Sequence, residues 1–340
     1  MKVADFDYHL PEEFIAQTPA EKRDHSKLMV LDRNSEKIEH KIFHEVVDQL
    51  FPGDVLVIND TKVLPANLTG IKEEGSAKVE VLLARQLGLR KWECLVRPGK
   101  RLQVGSRVVF GEGEVIGTVL EKTETGEQII EFEGDVFGYM HKQGEVPLPP
   151  YIAPDHDLDG RYQTVYAEKE GASAAPTAGL HFTPELLKKI EAKGVKIAHV
   201  TLHTGLATFK PVYVENVEEH KMYYESYEVP EETIEAIRSA KRVVAVGTTT
   251  VRTLESCWQR MLSTDMTTDQ RVTGETNLFI YPGYEFKVVD AIITNFHFPR
   301  STLLMMISAF AGKEFIFKAY QEAMSKGYRF FSFGDAMFIK

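Results

Sequence analysis

The chain has 340 residues with a hydrophobic content of 43%, so it can bury a full core and is long enough for two domains. Its start has no basic stretch followed by an apolar one, and its longest apolar run, 303–312, is too short to span a bilayer, which predicts a cytoplasmic protein without a membrane anchor. The formal net charge of -10 counts against a nucleic-acid-binding protein without excluding one, because RNA affinity depends on local clusters of cations.

Short alternating apolar runs separated by glycine-rich turns fill the chain from about residue 55 to about residue 137. The runs are 55–58, 78–83, 92–96, 107–110, 115–120 and 128–132. Strands at such near-regular spacing predict a small antiparallel β-barrel. The same segment carries five cations that fit an RNA footprint as well as a solvated strand face: Lys91, Arg97, Lys100, Arg101 and Arg107.

After residue 151, helical periods alternate with compact apolar runs. Thr183 caps a predicted helix that begins at Pro184 and ends at Gly194, and a strand follows at 196–202. Further elements are a helix at 231–240, strands at 242–246 and 288–294, and a helix at 301–311. This alternation is typical of a layered α/β sheet with crossover connections. We therefore predict a layered α/β main domain made of 1–54 and 155–340, with an antiparallel β-barrel domain inserted over 55–154.

The turn-prone segment 173–182 ends in a histidine just before a predicted helix. Its small residues allow a ligand to approach the backbone, and free N–H groups at a helix start favour negative charge. His181 can exchange a proton near neutral pH. Pro176, Thr177 and Gly179 are candidates for substrate binding. A packed loop whose histidine is hydrogen-bonded within the protein is also compatible with this sequence.

The segment 246–252 joins a buried strand to a helix. Gly247 permits a tight turn, and Thr248 and Thr249 offer hydroxyl groups beside Arg252, which suits a carboxylate or a phosphate. The segment has neither a Walker loop nor a Gly-x-Gly-x-x-Gly fingerprint, and an ordinary strand-to-helix turn is equally compatible with it.

His203 and His297 stand at predicted strand ends, where sites of α/β proteins assemble, and are candidates for proton transfer. On the barrel side, Asn59, Asp60 and Thr61 suit a ribose or a base edge, and Arg97 suits a phosphate. Each of them singly also fits a structural role. The sequence has no zinc motif and only two cysteines, Cys94 and Cys257, so we predict neither a metal nor a disulfide.

These segments together resemble the S-adenosylmethionine:tRNA ribosyltransferase-isomerase family of queuosine biosynthesis, and the resemblance runs from end to end. The matching segments are 6–11, 15–17, 23–24, 52–54, 59–61, 96–99, 147–152, 161–166, 174–182, 245–249, 281–286, 294–297 and 328–335. So many ordered matches are more specific than any single motif.

The resemblance implies the activity. The ribosyl part of S-adenosylmethionine, a co-substrate, is transferred to 7-aminomethyl-7-deazaguanine at the wobble position of tRNA and isomerised. The products are epoxyqueuosine in tRNA, adenine and methionine. The resemblance also implies an α/β domain with an inserted barrel, a monomer, and no requirement for a metal.

The resemblance further implies roles for the matched residues. A base must remove a proton acidified by the sulfonium, and adenine must be assisted as it leaves, for which His181, His203 and His297 are candidates. Asp60 or Asp335 is expected to face the sulfonium or the aminomethyl cation. Three arginines are candidates for phosphate or carboxylate contacts: Arg97, Arg252 and Arg329.

The sequence departs from the family pattern at three informative positions. Asn67 replaces an arginine, Ala207 replaces a glycine, and Tyr223 replaces a histidine. These departures keep open a catalytically silent tRNA-binding paralogue. Another S-adenosylmethionine-dependent RNA-modifying enzyme, such as a methyltransferase, is a second alternative, against which the absence of a glycine-rich loop after the first strand counts.

Overall fold

The computed structural model describes residues 1–123, 126–153, 156–205, 212–262 and 271–340, and the architecture below is that of these ranges. The helices are α1 (Val136–Gln143), α2 (Pro184–Ala192), α3 (Glu231–Ser239), α4 (Thr248–Leu262), α5 (Thr302–Ala311) and α6 (Lys313–Ser325). The strands are β1 (Lys27–Asp32), β2 (Lys37–Ile42), β3 (Asp54–Asn59), β4 (Thr61–Val63), β5 (Asn67–Lys72), β6 (Lys78–Gln86), β7 (Lys91–Arg97), β8 (Arg107–Phe110), β9 (Val115–Lys122), β10 (Gln128–Glu133), β11 (Lys169–Ala172), β12 (Lys196–Leu202), β13 (Glu225–Val229), β14 (Arg242–Val246), β15 (Val272–Thr276), β16 (Ala291–Asn295) and β17 (Ala336–Ile339).

A nine-stranded sheet forms the centre of the fold within the described ranges, in the order β15-β13-β12-β3-β14-β16-β17-β1-β2. The four strands β12, β3, β14 and β16 run parallel, whereas β17 is antiparallel to β16 and β1 is parallel to β17. The carboxyl ends of the four parallel strands therefore meet the amino ends of β17 and β1 along one edge of the sheet. We call this the carboxyl edge; it holds the residues that follow 59, 202, 246 and 295 and those that precede 27 and 336.

Both faces of the sheet are covered, which explains why its central strands are apolar throughout. In β3, Val55 and Val57 point into the core formed with α3 to α6, while Leu56 and Ile58 point into the core formed with α2 and the turn around Phe43. Successive side chains of a strand point to opposite faces, so a continuous apolar run fills two cores. The predicted layered α/β domain is confirmed.

Strands β10-β7-β6-β5-β8-β9 close into a six-stranded antiparallel barrel, as predicted from the alternating runs. Alternate side chains such as Leu68, Val81 and Phe132 fill its interior. Asp135 caps α1 by accepting a hydrogen bond from the Gly138 amide at 2.9 Å, so the chain leaves the barrel through a defined helix start.

Two differences from the sequence prediction concern the limits and strands of the barrel. The run 55–58 was grouped with the barrel, but β3 lies at the centre of the large sheet, with β12 and β14 on either side of it. Strand β5 escaped prediction because Gly70 interrupts its apolar pattern; a Cβ at Gly70 would lie 2.5 Å from Val108, so the barrel interior admits only glycine there. We therefore propose that the inserted domain begins after β4; residues 154–155, at its predicted end, lie outside the described residues.

Candidate functional site

Asn59, the last residue of β3, joins three elements at the carboxyl edge. Its side-chain oxygen accepts hydrogen bonds from the amides of Thr61 and Leu202, each at 3.1 Å. Its amide nitrogen donates to the Leu202 carbonyl at 3.1 Å and to the Thr249 hydroxyl at 3.2 Å. Because Asn59 is fully buried and these bonds use both ends of its amide, it fixes the geometry of the edge.

His203 lies beside Asn59, at the end of β12. Its Nδ1 is 2.9 Å from the Thr61 hydroxyl, and its ring lies against Gly171, where a Cβ would come within 2.7 Å of it. Burial lowers the pKa of His203, an effect that the Asp60 carboxylate opposes. The ring is therefore neutral at pH 7, and one of its nitrogens can accept a proton.

The carboxylate of Asp60 is buried next to His203. Its Oδ1 accepts a hydrogen bond from the Thr201 hydroxyl at 2.6 Å. A polar cavity of about 190 Å³ adjoins His203 and Thr201, the partner of Asp60, and an ion pair of 2.6 Å between Lys169 and Glu228 forms part of its wall. The cavity is lined by Lys169, Thr201, His203, Ser226, Tyr227, Glu228 and Thr273.

His181 is also at the carboxyl edge, but its ring is held on both sides. Nδ1 is 2.7 Å from the Ser26 hydroxyl, Nε2 is 3.3 Å from the side-chain amide of Asn295, and the ring stacks on Phe43. Because the amide donates to Nε2, we assign the ring proton to Nδ1. Burial, assisted by the charge of Arg329, lowers the pKa of His181 to about 3. His181 is therefore a neutral ring with both nitrogens engaged.

The structure places His297 away from the other two histidines. Its Nε2 is 2.9 Å from the Thr294 hydroxyl, and its backbone amide donates to Tyr320 at 2.9 Å. Burial lowers its pKa to about 3. Thr294 and Asn295 point to opposite faces of β16, so His297 belongs to the aromatic core under α6 rather than to the group around His181.

Asp335 pins the loop that precedes β17. Its two carboxylate oxygens accept hydrogen bonds from the backbone amides of Lys27, at 2.8 Å, and Arg329, at 2.7 Å. Burial raises its pKa despite these bonds. Both oxygens thus serve the main chain, while the Arg329 guanidinium donates to the Thr18 carbonyl at 3.0 Å and remains near His181.

Two predicted arginine contacts lie apart from the edge. Arg252 is buried and forms an ion pair with Glu225, whose other oxygen accepts a hydrogen bond from the Gly205 amide at 3.0 Å. Arg97 is exposed on the barrel, opposite Glu80 in the register of β6 and β7. The barrel approaches the edge farther along β6, where the Ala84 carbonyl is 3.5 Å from the Ser173 hydroxyl. Neither arginine is brought together with the histidines.

The segment from Pro176 to His181 packs against the start of α4. Gly247 has a φ of +86°, and a Cβ built on it would lie 3.7 Å from Ala178. The turn before Thr248 therefore lies close to this segment in space. Gly179 faces Tyr166. The predicted residues of both segments, including Thr177 and Thr249, therefore line the same edge as Asn59.

Comparison with known proteins identifies the family. A model described as a queuosine biosynthesis protein matches residues 3–339. The chain belongs to this family. It is 52% identical, over 100% of both chains, to the S-adenosylmethionine:tRNA ribosyltransferase-isomerase of Thermotoga maritima. The crystal structure of an S-adenosylmethionine tRNA ribosyltransferase from Thermotoga maritima matches with a TM-score of 0.56 and 42% identity, covering 99% of this chain and 100% of that chain.

Membership of the queuosine biosynthesis family makes the protein a transferase-isomerase of that pathway, as the sequence resemblance implied. In the described part of the chain, no group of three or more His, Cys, Asp or Glu side chains is placed to hold a metal ion. No helix of the described residues is long and apolar enough to cross a membrane.

The departures from the family pattern lie at the periphery or outside the described residues. The backbone of Asn67 pairs with Glu145 through two hydrogen bonds of 3.0 Å at the foot of the barrel. Tyr223 is 45% exposed in the loop before β13. Ala207 lies outside the described residues.

Sequence reasoning gave no role to several residues at the edge. The hydroxyls of Tyr166 and Thr164 are buried beside Gly179 and have no hydrogen-bond partner among the described residues. Arg23 and Arg161 lie near His181 and carry no periodic signal. The segment 161–166 matched the family pattern, and its uncommon run of polar and aromatic residues was the signal in the sequence that could have identified Arg161, Thr164 and Tyr166 as site residues.

Proposed function

We propose that the protein transfers and isomerises the ribosyl part of S-adenosylmethionine onto 7-aminomethyl-7-deazaguanine at the wobble position of tRNA, releasing adenine and methionine. The observation that supports this site is that His203 lines a polar cavity at the carboxyl edge, with the Thr61 hydroxyl bonded to its ring and the Asp60 carboxylate bonded to the cavity residue Thr201. Ligands of open α/β sheets bind outside the carboxyl ends of the strands.

His203 is our choice for the proton transfers. It is neutral at pH 7 because burial lowers its pKa, and Thr61 orients its ring. His181 has both nitrogens engaged, and His297 lies in another part of the core. A base within reach of a carbon next to the sulfonium would take the acidified proton, and the resulting imidazolium would donate to the departing adenine.

The groups around His203 complete the proposed site. Asp60 places negative charge where a cationic sulfonium or aminomethyl group would bind. His181, Asn59 and Asp335 position the strand ends and loops. The backbone from Gly247 to Thr249 would meet the ribose or the base at the start of α4. We further propose that the protein is a cytoplasmic monomer that needs no metal.

The barrel and the carboxyl edge are the proposed tRNA-binding faces. Lys91 and Arg97 stand at opposite ends of β7, so the five cations seen in sequence are spread along the barrel. Arg107 forms an ion pair with Glu73 at 3.2 Å. Three exposed cations remain at the end of β7 opposite Lys91, namely Arg97, Lys100 and Arg101. A single-stranded anticodon loop would present the modified base without disrupting a duplex.

The test is adenine release from S-adenosylmethionine in the presence of an anticodon stem-loop carrying 7-aminomethyl-7-deazaguanine, with an unmodified stem-loop as the control. We expect adenine only with the modified RNA, and unchanged release after treatment with a chelator. Release of S-adenosylhomocysteine would instead identify a methyltransferase. RNA binding without adenine release would identify a silent paralogue.

A further inference from the structure

Arg23 and Arg161 line a narrow cleft next to His181 at the carboxyl edge. The cleft has a cavity volume of about 20 Å³, and Ser26, His181 and Gly334 complete its walls. Arg23 donates hydrogen bonds to the carbonyls of Leu180, at 3.2 Å, and of residues 160 and 161, each at 3.3 Å. Arg161 donates to the carbonyls of Ala20, at 2.7 Å, and Glu21, at 3.3 Å. Neither guanidinium is paired with a carboxylate of the described residues.

The two guanidinium groups are close enough to repel each other. Burial and the neighbouring charge of Arg161 lower the pKa of Arg23, and Arg329 and Arg23 both lower the pKa of His181. Unneutralised positive charge in a partly buried place is unfavourable without an anion. A bound anion would relieve this repulsion.

One donor in the cleft is also unsatisfied. The Nε of Arg161 is buried and has no hydrogen-bond partner among the described residues. The nearby carboxylate of Asp335 is committed to two backbone amides and forms no ion pair with Arg329 in the described part of the chain. Among the described side chains, the cleft therefore combines excess positive charge with a free N–H donor.

We propose that this cleft binds the carboxylate of the methionine part of S-adenosylmethionine, an inference that rests on the proposed function. Arginine forks match the planar carboxylate and hold it by charge-assisted hydrogen bonds. The small volume suits a terminal group, since about 10–15 Å³ already accommodates one water molecule. Backbone phosphates of RNA generally meet exposed side chains, which the half-buried Arg23 and Arg161 are not.

The location agrees with the proposed reaction centre. Ser26 precedes β1, and His181 contacts Asn295 at the end of β16, so the cleft opens on the carboxyl edge. Tyr166 is close to both groups, since the charges of Arg23 and Asp60 both act on the pKa of its hydroxyl. A ligand anchored by its carboxylate in the cleft would extend past Tyr166 towards Asp60 and His203.

The test compares S-adenosylmethionine with its decarboxylated analogue by calorimetry, in the presence of the unmodified stem-loop so that no turnover occurs. The variants are Arg161→Gln and Arg329→Gln, the second because the Arg329 side chain holds only one backbone carbonyl. Arg33→Gln is the matched control, since Arg33 also donates to two backbone carbonyls but follows β1 at the opposite edge.

We expect the wild-type protein and Arg33→Gln to bind S-adenosylmethionine about 10- to 100-fold more tightly than the analogue, as charge-assisted hydrogen bonds to one carboxylate allow. Arg161→Gln should lose most of this ratio, and Arg329→Gln part of it. An unchanged ratio in folded variants overturns the proposal. So does weaker RNA binding with a shallower salt dependence at an unchanged ratio, which would assign the cleft to a phosphate.

The outcome also separates this inference from the proposed function. Adenine release by a wild-type protein that does not discriminate between the two ligands would refute only the carboxylate assignment. Failure of the wild-type protein both to bind S-adenosylmethionine and to release adenine would refute both.

Discussion

The hydroxyl of Tyr166 occupies the space that a side chain on Gly179 would take, since a Cβ built on Gly179 would lie 2.1 Å from that oxygen. The hydroxyl is buried and has no hydrogen-bond partner among the described residues. Burial raises the pKa of Tyr166, so its proton is retained at any physiological pH. Tyr166 is therefore a neutral donor at the carboxyl edge, suited to an acceptor on the ligand.

Tyr166→Phe should lower adenine release by about 10- to 100-fold without destabilising the protein. The change removes a buried hydroxyl that satisfies no protein group, so thermal unfolding should occur at an equal or higher temperature. Turnover and the unfolding midpoint are measured on the same preparation. Full activity would show that the hydroxyl does not contact the ligand.

Gly179→Ala should also lower turnover, because its methyl group must displace the Tyr166 ring. Crowding of this kind typically costs about 1–3 kcal/mol of stability. Gly88→Ala is the matched control, because a Cβ at Gly88 meets nothing within 4 Å and lies in a barrel turn. A Gly179→Ala variant that keeps wild-type activity would contradict the proposed place of Tyr166.

His203→Gln should lower kcat by about 10²- to 10⁴-fold, the usual range for loss of a general acid–base group. Wild-type activity should also fall as the pH drops below the lowered pKa of His203, since protonation removes the base. The variant should lose this acid limb. His199→Gln, on the same strand, should leave both kcat and the pH profile unchanged; an unchanged kcat in His203→Gln would shift the assignment to another residue.

Protein stability should decrease between pH 7 and pH 5. The pKa values of His181 and His297 are about 3 in the folded protein, against 6.5 for an unperturbed histidine. Below pH 6.5 the unfolded chain binds protons that the folded protein excludes, so the stabilisation is complete above that pH and is lost as the pH falls towards 3. Each histidine should account for about 2 kcal/mol at pH 5.

Urea unfolding of His297→Gln at pH 7 and pH 5 checks this assignment. The variant should lose about 2 kcal/mol of the decrease measured at pH 5, because glutamine does not titrate. The exposed His9→Gln serves as the control and should retain the full decrease. A His297→Gln variant with the wild-type pH dependence would show that this histidine is protonated in the folded protein.

The sequence was sufficient for the two kinds of architecture, a layered sheet and a barrel, because the periodic patterns that predict them are local. Alternating runs predicted the barrel, and the rule that ligands bind at the carboxyl ends of strands predicted a site at His203. Asn59 was grouped with the barrel instead, because the run before it resembles a barrel strand, and only the fold brings it next to His203. Pairing between distant residues was not accessible in the same way. Arg252 and Asp335 resemble ligand contacts in sequence, and only the fold supplies Glu225 and the amides that they serve.

Variants of the ion pair between Arg252 and Glu225 can distinguish a structural role of Arg252 from a role in binding the substrate. Both side chains are buried, and Glu225 also holds the Gly205 amide beside His203. Removing one partner leaves an unpaired buried charge, so Arg252→Met should destabilise the protein by about 3–5 kcal/mol. Urea unfolding measures the loss.

The double variant Arg252→Met/Glu225→Met should recover a large part of that stability, because no uncompensated charge remains. If Arg252 instead contacted the substrate, Arg252→Met would fold with nearly full stability and lose affinity for S-adenosylmethionine or RNA, and adding Glu225→Met would restore nothing. The sign of the coupling in this double-mutant cycle therefore decides between an internal support for the loop that carries His203 and a direct binding residue.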